Sequence, residues 1–357
     1  MSFYILIGVI TALYACVAAQ LKNFRIIFFL PLIVLTAYFI GYRDLSIGTD
    51  TIRYGEIFAD IKPLFSAVEA GHFGFEAKRI EIGFVFVAST LKELGVSFNG
   101  FLFILNFCTL LTVYSAFNLL DQRLGPVLFF LYTCTFTFLT LQYNIVRQGV
   151  AVAICMYAFI HMIRGRHWSF LLFALLAASF HSMSILFLCI WPFRGFQWKS
   201  GYIFFFIACF LILANVDFLS EFANFLAPYS TSMYRVANYM ITQSGSTNLM
   251  SLAILFDLIL ISYCMLDNRY LRGTSKHFDV TLTAFVIGFL GMTALHELNL
   301  LSLRLFYLFC PYEVYLFMTS FNRVNCSNIL KSIIVIIFGF TWLLKNLFLT
   351  AQFITFY

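Results

Sequence analysis

Along this chain, long apolar runs are parted by short polar joints, and most runs approach the length of one membrane crossing. A helix needs about 20 mostly apolar residues to cross a hydrocarbon core, and it satisfies its own backbone N–H and C=O groups where water cannot. By that measure, spans are expected at Phe3 to Ala19, Ile26 to Gly41, Phe98 to Leu120, Pro126 to Gln142, Ile145 to Ile163, Tyr202 to Val216, Leu249 to Leu266, Val280 to Leu295, Leu300 to Thr319 and Ser332 to Thr350. The fold class read from the pattern is all-α: a polytopic integral membrane helix bundle of about ten full spans, one domain over residues 1–357.

Two segments break the rhythm. Ile82 to Leu94 is too short to cross and ends near Lys92 and Glu93, so an interfacial or re-entrant helix in a large outer loop is expected there. The run from Trp168 to Trp191 is long enough to cross once, but Ser179-Phe180-His181-Ser182 interrupts it, and basic joints flank it at Arg164, Arg166, Arg194 and Lys199. Basic residues favour the cytoplasmic side. A broken helical hairpin with His181 near its tip returns all four to that side, together with Lys22, Arg25, Arg123, Arg269, Arg272, Lys276, Arg323 and Lys331. Non-helical backbone at membrane depth is tolerated only against protein or a wet cavity, so the tip is expected to face a site. Loops 43–97 and 217–248 then lie at the outer face.

Composition agrees with a membrane protein: the chain is 62% hydrophobic and 11% charged, where ordinary soluble domains are about 25% charged. The first apolar run lacks a basic flank and a second follows at once, which reads as a span rather than a cleaved leader. The net charge of +6 lies mainly in short loops, so it speaks of topology and implies no nucleic acid. Nine cysteines without a CxxC pair read as small buried hydrophobes. No P-loop or zinc motif stands out; no cofactor and no metal is expected.

Charge nonetheless gathers in YRDLSIGTDTIRYGEIF, Tyr42 to Phe58, which sets five charged residues directly after an apolar run. In the hairpin topology Arg147 in QYNIVRQGVA, His181, Arg304 in LLSLRLFYLF, and His296 with Glu297 fall at the same outer level as Arg43, Asp50, Arg53 and Glu81. An ionisable group inside a bilayer costs about 2.5–3.5 kcal/mol on insertion scales, which makes each a functional candidate. Arginine is informative here because its planar fork grips phosphate oxygens bidentately and stays charged in a poorly hydrated site. An anionic, phosphate-bearing lipid is the implied ligand. Structural roles stand beside these. Arg147 and Arg304 can snorkel, His181 can cap the hairpin, and Arg43 and Arg53 can satisfy Asp44, Asp50 and Glu56. Asp257 and Glu313, mid-span, can pair with polar neighbours or stay neutral. Tyr229, Tyr234 and Tyr239 suit either sugar stacking or an interfacial belt.

The ordered set GTDTIRY (48–54), EIGF (81–84), NIVRQGVAVAI (144–154), SFHSMSILFL (179–188) and RLFYLF (304–309) resembles the EpsG and Wzy-like family of bacterial polysaccharide polymerases. The resemblance implies glycosyl transfer at the outer face of the bacterial inner (cytoplasmic) membrane. Oligosaccharide units carried on undecaprenyl diphosphate would be joined there, with release of polyprenyl diphosphate, as in O-antigen or exopolysaccharide synthesis. Its implied partners are that lipid-linked oligosaccharide, membrane lipid, and a chain-length regulator and flippase of the same pathway. Arg147 and Arg304 are then expected to hold diphosphates, with His181 as first and Asp50 as second candidate base. Arg43, Arg53, Tyr54, Glu81, Asn144, Gln148 and Tyr307 are expected to bind substrate. A flippase of the same lipid also needs a cationic cavity, and broken helices are typical of transporters. The gathering of charge at one level and the lack of an internal repeat favour the polymerase. A membrane acyltransferase, with a histidine activating a hydroxyl, is a third reading.

Overall fold

The structure is a computed structural model that describes residues 11–12, 25–74, 80–216, 246–325 and 327–354. The expected first span, apart from residues 11–12, and Tyr229, Tyr234 and Tyr239 lie outside the described residues. The described elements are helices, in two compact units: one runs to Leu188 and resumes at Asn325, and the other is Cys189–Val324.

The first unit is built on α1 (Arg25–Gly41), α5 (Phe98–Leu120), α8 (Val146–Ile163) and α9 (His167–Phe180). α8 packs against both α5 and α9. Tyr157 of α8 meets the Phe173 ring of α9 edge-on (ring centroids 5.2 Å), and small residues, Ala151, Ala153 and Ala158 of α8 and Ala174 and Ala177 of α9, are buried along the two helices. In a membrane that packing replaces the hydrophobic drive. The 23 residues of α5 span about 34 Å at 1.5 Å each, enough for the hydrocarbon core. Its buried polar side chains answer to their own helix: Asn106 Nδ2 donates to Leu102 O at 2.8 Å and Thr109 Oγ1 to Leu105 O at 2.7 Å.

Between α1 and α5 lie α2 (Thr51–Asp60), α3 (Leu64–Ala70) and α4 (Ile82–Glu93). Thr51, Tyr54, Ile57 and Phe58 recur at helical spacing and form the buried face of α2. That face closes on aromatics, with Tyr54 against Phe84 of α4 (ring centroids 5.8 Å) and Phe58 stacked on Phe101 of α5 (5.2 Å). Lys92 Nζ, at the end of α4, donates to the terminal carbonyls of α2 at Phe58 and Ala59 and to Ile61 O, at 2.6–2.9 Å. The segment expected to be interfacial is thus a helix, bound to its neighbour at both ends.

The run expected as one span from Pro126 is two helices, α6 (Gly125–Thr133) and α7 (Phe136–Tyr143), bent by 72°. Thr135 starts α7 by accepting the Phe138 N–H, and the carbonyl of Cys134 at the bend receives the buried amide of Asn346 at 2.9 Å. Asn346 belongs to the C-terminal helix of this unit, here α16 (Asn328–Ile354). The expected hairpin is present. α9 stops at Phe180, His181 is extended (φ −153°, ψ 113°), and a 3-10 segment follows over Ser182–Phe193. Straight continuation would part Phe170 from Phe187 by about 25 Å, whereas their ring centroids are 6.3 Å apart, so the chain doubles back at His181.

The second unit contains α10 (Tyr202–Asn215), α11 (Leu252–Leu266), α12 (Asn268–Thr274), α13 (Phe278–Ala294), α14 (Asn299–Tyr307) and α15 (Pro311–Phe321). Arg272 grips Asp279 with Nε and Nη2 (2.6 and 2.9 Å) and also donates to Trp198 O, which fixes the joint ahead of α10. The pair α14/α15, expected as one span, is bent by 58°.

By length and apolarity three helices among the described residues qualify to cross a membrane, α5, α8 and residues 330–347 of α16, or five if each bent pair is one span. The expected count of about ten is not reached by that measure. The other apolar helices among the described residues have 10–17 residues.

Candidate functional site

The site of the first unit starts from a turn that only glycine permits. Gly48 has φ +90°, and a Cβ on it would stand 2.2 Å from Tyr143 O. The turn is therefore pressed against the joint between α7 and α8. Thr49 N–H donates to Asn144 Oδ1 at 3.1 Å, which draws Asn144 into holding the turn. Arg43 fastens the same place. Its guanidinium donates to the carbonyls of Ile40 (2.8 Å), Ile47 (3.2 Å), Gln142 (3.5 Å) and Tyr143 (3.1 Å), and to Thr51 Oγ1 (3.0 Å from Nη2). A buried cation spent on main-chain acceptors is a clamp, which differs from the substrate contact expected for Arg43.

That clamp sets α2 beside the first turn of α8, where Arg147 sits. Its guanidinium pairs with the Glu81 carboxylate and lies over the buried Tyr54 ring, 5.9 Å from the centroid. The Arg147 and Glu81 side chains remain 26% and 20% exposed, so the pair is sheltered yet reachable. Arg147 Nε is buried and has no hydrogen-bond partner among the described residues. Glu81 precedes α4, whose first turn touches the hairpin: a Cβ on Gly83 would meet Ser179 Oγ at 2.4 Å. This contact lets Glu81 Oε1 accept the main-chain N–H of Ser182 at 3.2 Å, next to His181 at the tip.

The charges respond accordingly. Burial pushes the Glu81 carboxyl up, but Arg147, its own helix-start N–H, the Ser182 N–H and His181 together hold it below the usual 4.5. Burial likewise raises the Tyr54 phenol, against the pull of Arg147 and with a smaller push from Asp50. Asp50, Tyr54, Glu81, Arg147 and His181 therefore form one electrostatic cluster.

Other expected residues sit elsewhere. Gln148 is fully buried, and Arg53 is exposed and pairs with Glu56 at 2.9 Å. Arg304 and Tyr307, three residues apart on α14, share one side of a helix of the second unit, as that unit's own feature. In that unit His296 Nδ1 lies 2.9 Å from Thr293 O, and its carbonyl accepts the Thr247 N–H at 2.7 Å. The buried Asp257 and Glu313 are partners, with Cys310 Sγ donating to Glu313 Oε2 at 3.4 Å. Sequence reasoning did not find the Ser182 N–H, because a main-chain donor leaves no mark in residue type.

The turn at Gly48, the α7–α8 joint and the hairpin tip carry the motifs GTDTIRY, NIVRQG and SFHS, and a sequence profile of the EpsG family matches residues 26–357. The chain belongs to the EpsG family. No curated protein and no solved structure matches it. The family places this chain among membrane proteins of the polysaccharide-polymerase type, associated with glycosyltransferase-like activity. The EpsG-family match covers nearly the whole chain, both units included.

Proposed function

We propose that this EpsG-family protein polymerises oligosaccharide units carried on polyprenyl diphosphate, working at the outer face of the bacterial inner membrane. The observation that carries the reading is the Arg147 guanidinium: partly exposed, seated on Tyr54, beside Glu81 and the hairpin tip, with a buried Nε–H still to be met. Transfer breaks the bond from the anomeric carbon to the diphosphate oxygen and leaves negative charge there. A guanidinium fixed in place beforehand stabilises that charge as it develops. The acceptor hydroxyl loses a proton as it attacks, so a base must stand within hydrogen-bond reach; His181 and Asp50 are the sequence candidates. Arg304 is proposed as a further diphosphate-binding residue, and membrane lipid and the pathway's chain-length regulator and flippase as companions.

The test is reconstitution of the purified protein in liposomes with lipid-linked repeat units. Longer glycans appearing together with free polyprenyl diphosphate are the expected result. Movement of the lipid across the bilayer with no bond formed would replace the polymerase by a flippase, for which the broken hairpin is the supporting feature.

A further inference from the structure

We propose that Glu81 is the group that takes the acceptor's proton, held on Arg147 while the site is empty and released when a diphosphate takes that guanidinium. The inference rests on the function proposed above and names a base that the sequence did not suggest. Its support is the division of labour between the two carboxylate oxygens. Oε2 lies on Arg147, and Oε1 accepts the Ser182 N–H at 3.2 Å, with Ser182 Oγ at 3.5 Å. An incoming diphosphate competes first for the guanidinium, the charged donor of the two. Loss of Arg147 therefore frees Oε2 while Oε1 still anchors the side chain at the hairpin tip, and α4 fixes its backbone through Gly83 and Ser179. The carboxylate stays next to the bound diphosphate, free to accept the proton of an acceptor hydroxyl brought into the same site.

A resting ion pair also suits the timing of the chemistry. While Arg147 grips it, Glu81 is a poor base. Transfer of that cation to a phosphate removes the strongest opposite charge and returns basicity to the carboxylate at the moment substrate is bound. In the transfer step the acceptor O–H bond breaks and its proton goes to Glu81 Oε2. The acceptor oxygen bonds to the anomeric carbon, and the electron pair of the broken carbon–oxygen bond leaves on the diphosphate, against Arg147. Once the diphosphate departs, the proton passes to water and the Glu81–Arg147 pair re-forms. Glu81 is faced by Arg147 from α8 and by His181 from the hairpin, with Tyr54 of α2 bearing on Arg147 and Asp50, just ahead of α2, bearing on Tyr54.

The experiment measures two quantities on the full-length protein in detergent or liposomes: affinity for undecaprenyl diphosphate, with inorganic pyrophosphate as the lipid-free probe, and chain growth against pH. Glu81→Gln keeps an oxygen for the Ser182 N–H but carries no charge to compete. It should bind the diphosphate about tenfold more tightly and lose chain growth by about 10²-fold or more. Glu81→Asp, the second variant, should keep partial growth with its acid limb displaced, and His181→Gln should leave that limb where it is. Unchanged or weaker diphosphate binding by Glu81→Gln, wild-type growth by it, or an acid limb that follows His181 would each overturn the inference while leaving the polymerase reading intact. A wild-type protein that neither binds the diphosphate nor makes polymer would overturn the function itself, and this inference with it.

Discussion

Glu81 and Ser182 stand 101 positions apart, and the carboxylate of the first accepts the main-chain N–H of the second at 3.2 Å. Through this bond the start of helix α4 holds the tip of the hairpin. Glu81→Ala removes both that bond and the counter-charge of a half-buried guanidinium, and it should lower stability by about 2–3 kcal/mol. Glu81→Gln, which keeps an acceptor for the N–H but not the charge, should recover part of the loss. Thermal unfolding in detergent, compared across wild type and both variants, checks this.

The same carboxylate makes stability depend on acidity. Its pKa in the folded protein lies below the usual 4.5, so the unfolded chain holds the proton more tightly. The contribution of Glu81 is complete above about pH 4.5 and is lost as the pH falls through its lower folded value. Melting temperatures taken from pH 7 down to 3 should drop more steeply for wild type than for Glu81→Gln.

Arg43 and Arg147 should fail in different ways. Arg43→Ala takes a donor from two carbonyls at the α7–α8 joint and from Ile40 O at the end of α1, and should cost about 2–4 kcal/mol, seen as poor accumulation of folded protein. Arg43→Lys should restore little, because one ammonium cannot reach acceptors spread around a planar fork. Arg147→Ala should insert and fold but lose chain growth by about 10²-fold or more. Folded yield by size-exclusion chromatography, set beside polymer length, separates the two.

Gly48→Ala forces a side chain into a left-handed position and against Tyr143 O. The turn should open, at about 2 kcal/mol or more, and chain growth should fall with it because Asp50 and Tyr54 lose their placement. A variant with normal melting and normal polymer would show that the turn does not organise the cluster.

The sequence made the hairpin legible because Ser179–Ser182 interrupts an apolar run between basic joints, and it pointed to Arg147, His181 and Glu81 because charge near a bilayer is costly. It did not reveal the 72° bend at Cys134, since the run through it is apolar throughout and threonine hydroxyls are common inside helices. Nor did it reveal the part played by Arg43. Its acceptors are main-chain carbonyls as far as 100 positions away, and every residue type presents the same carbonyl. Charge could be located from residue type; what the charge holds depended on the path of the backbone.

The amide that Asn346 lends to Cys134 also constrains the order in which the protein can be completed. A ribosome delivers Cys134 early and Asn346 only after the whole of Cys189–Val324 has been made, so the second unit is nested inside the first in time as well as in sequence. Until α16 emerges, a nascent chain carries the bent pair α6/α7 with an unanswered carbonyl at its elbow. The first unit is therefore begun first and finished last.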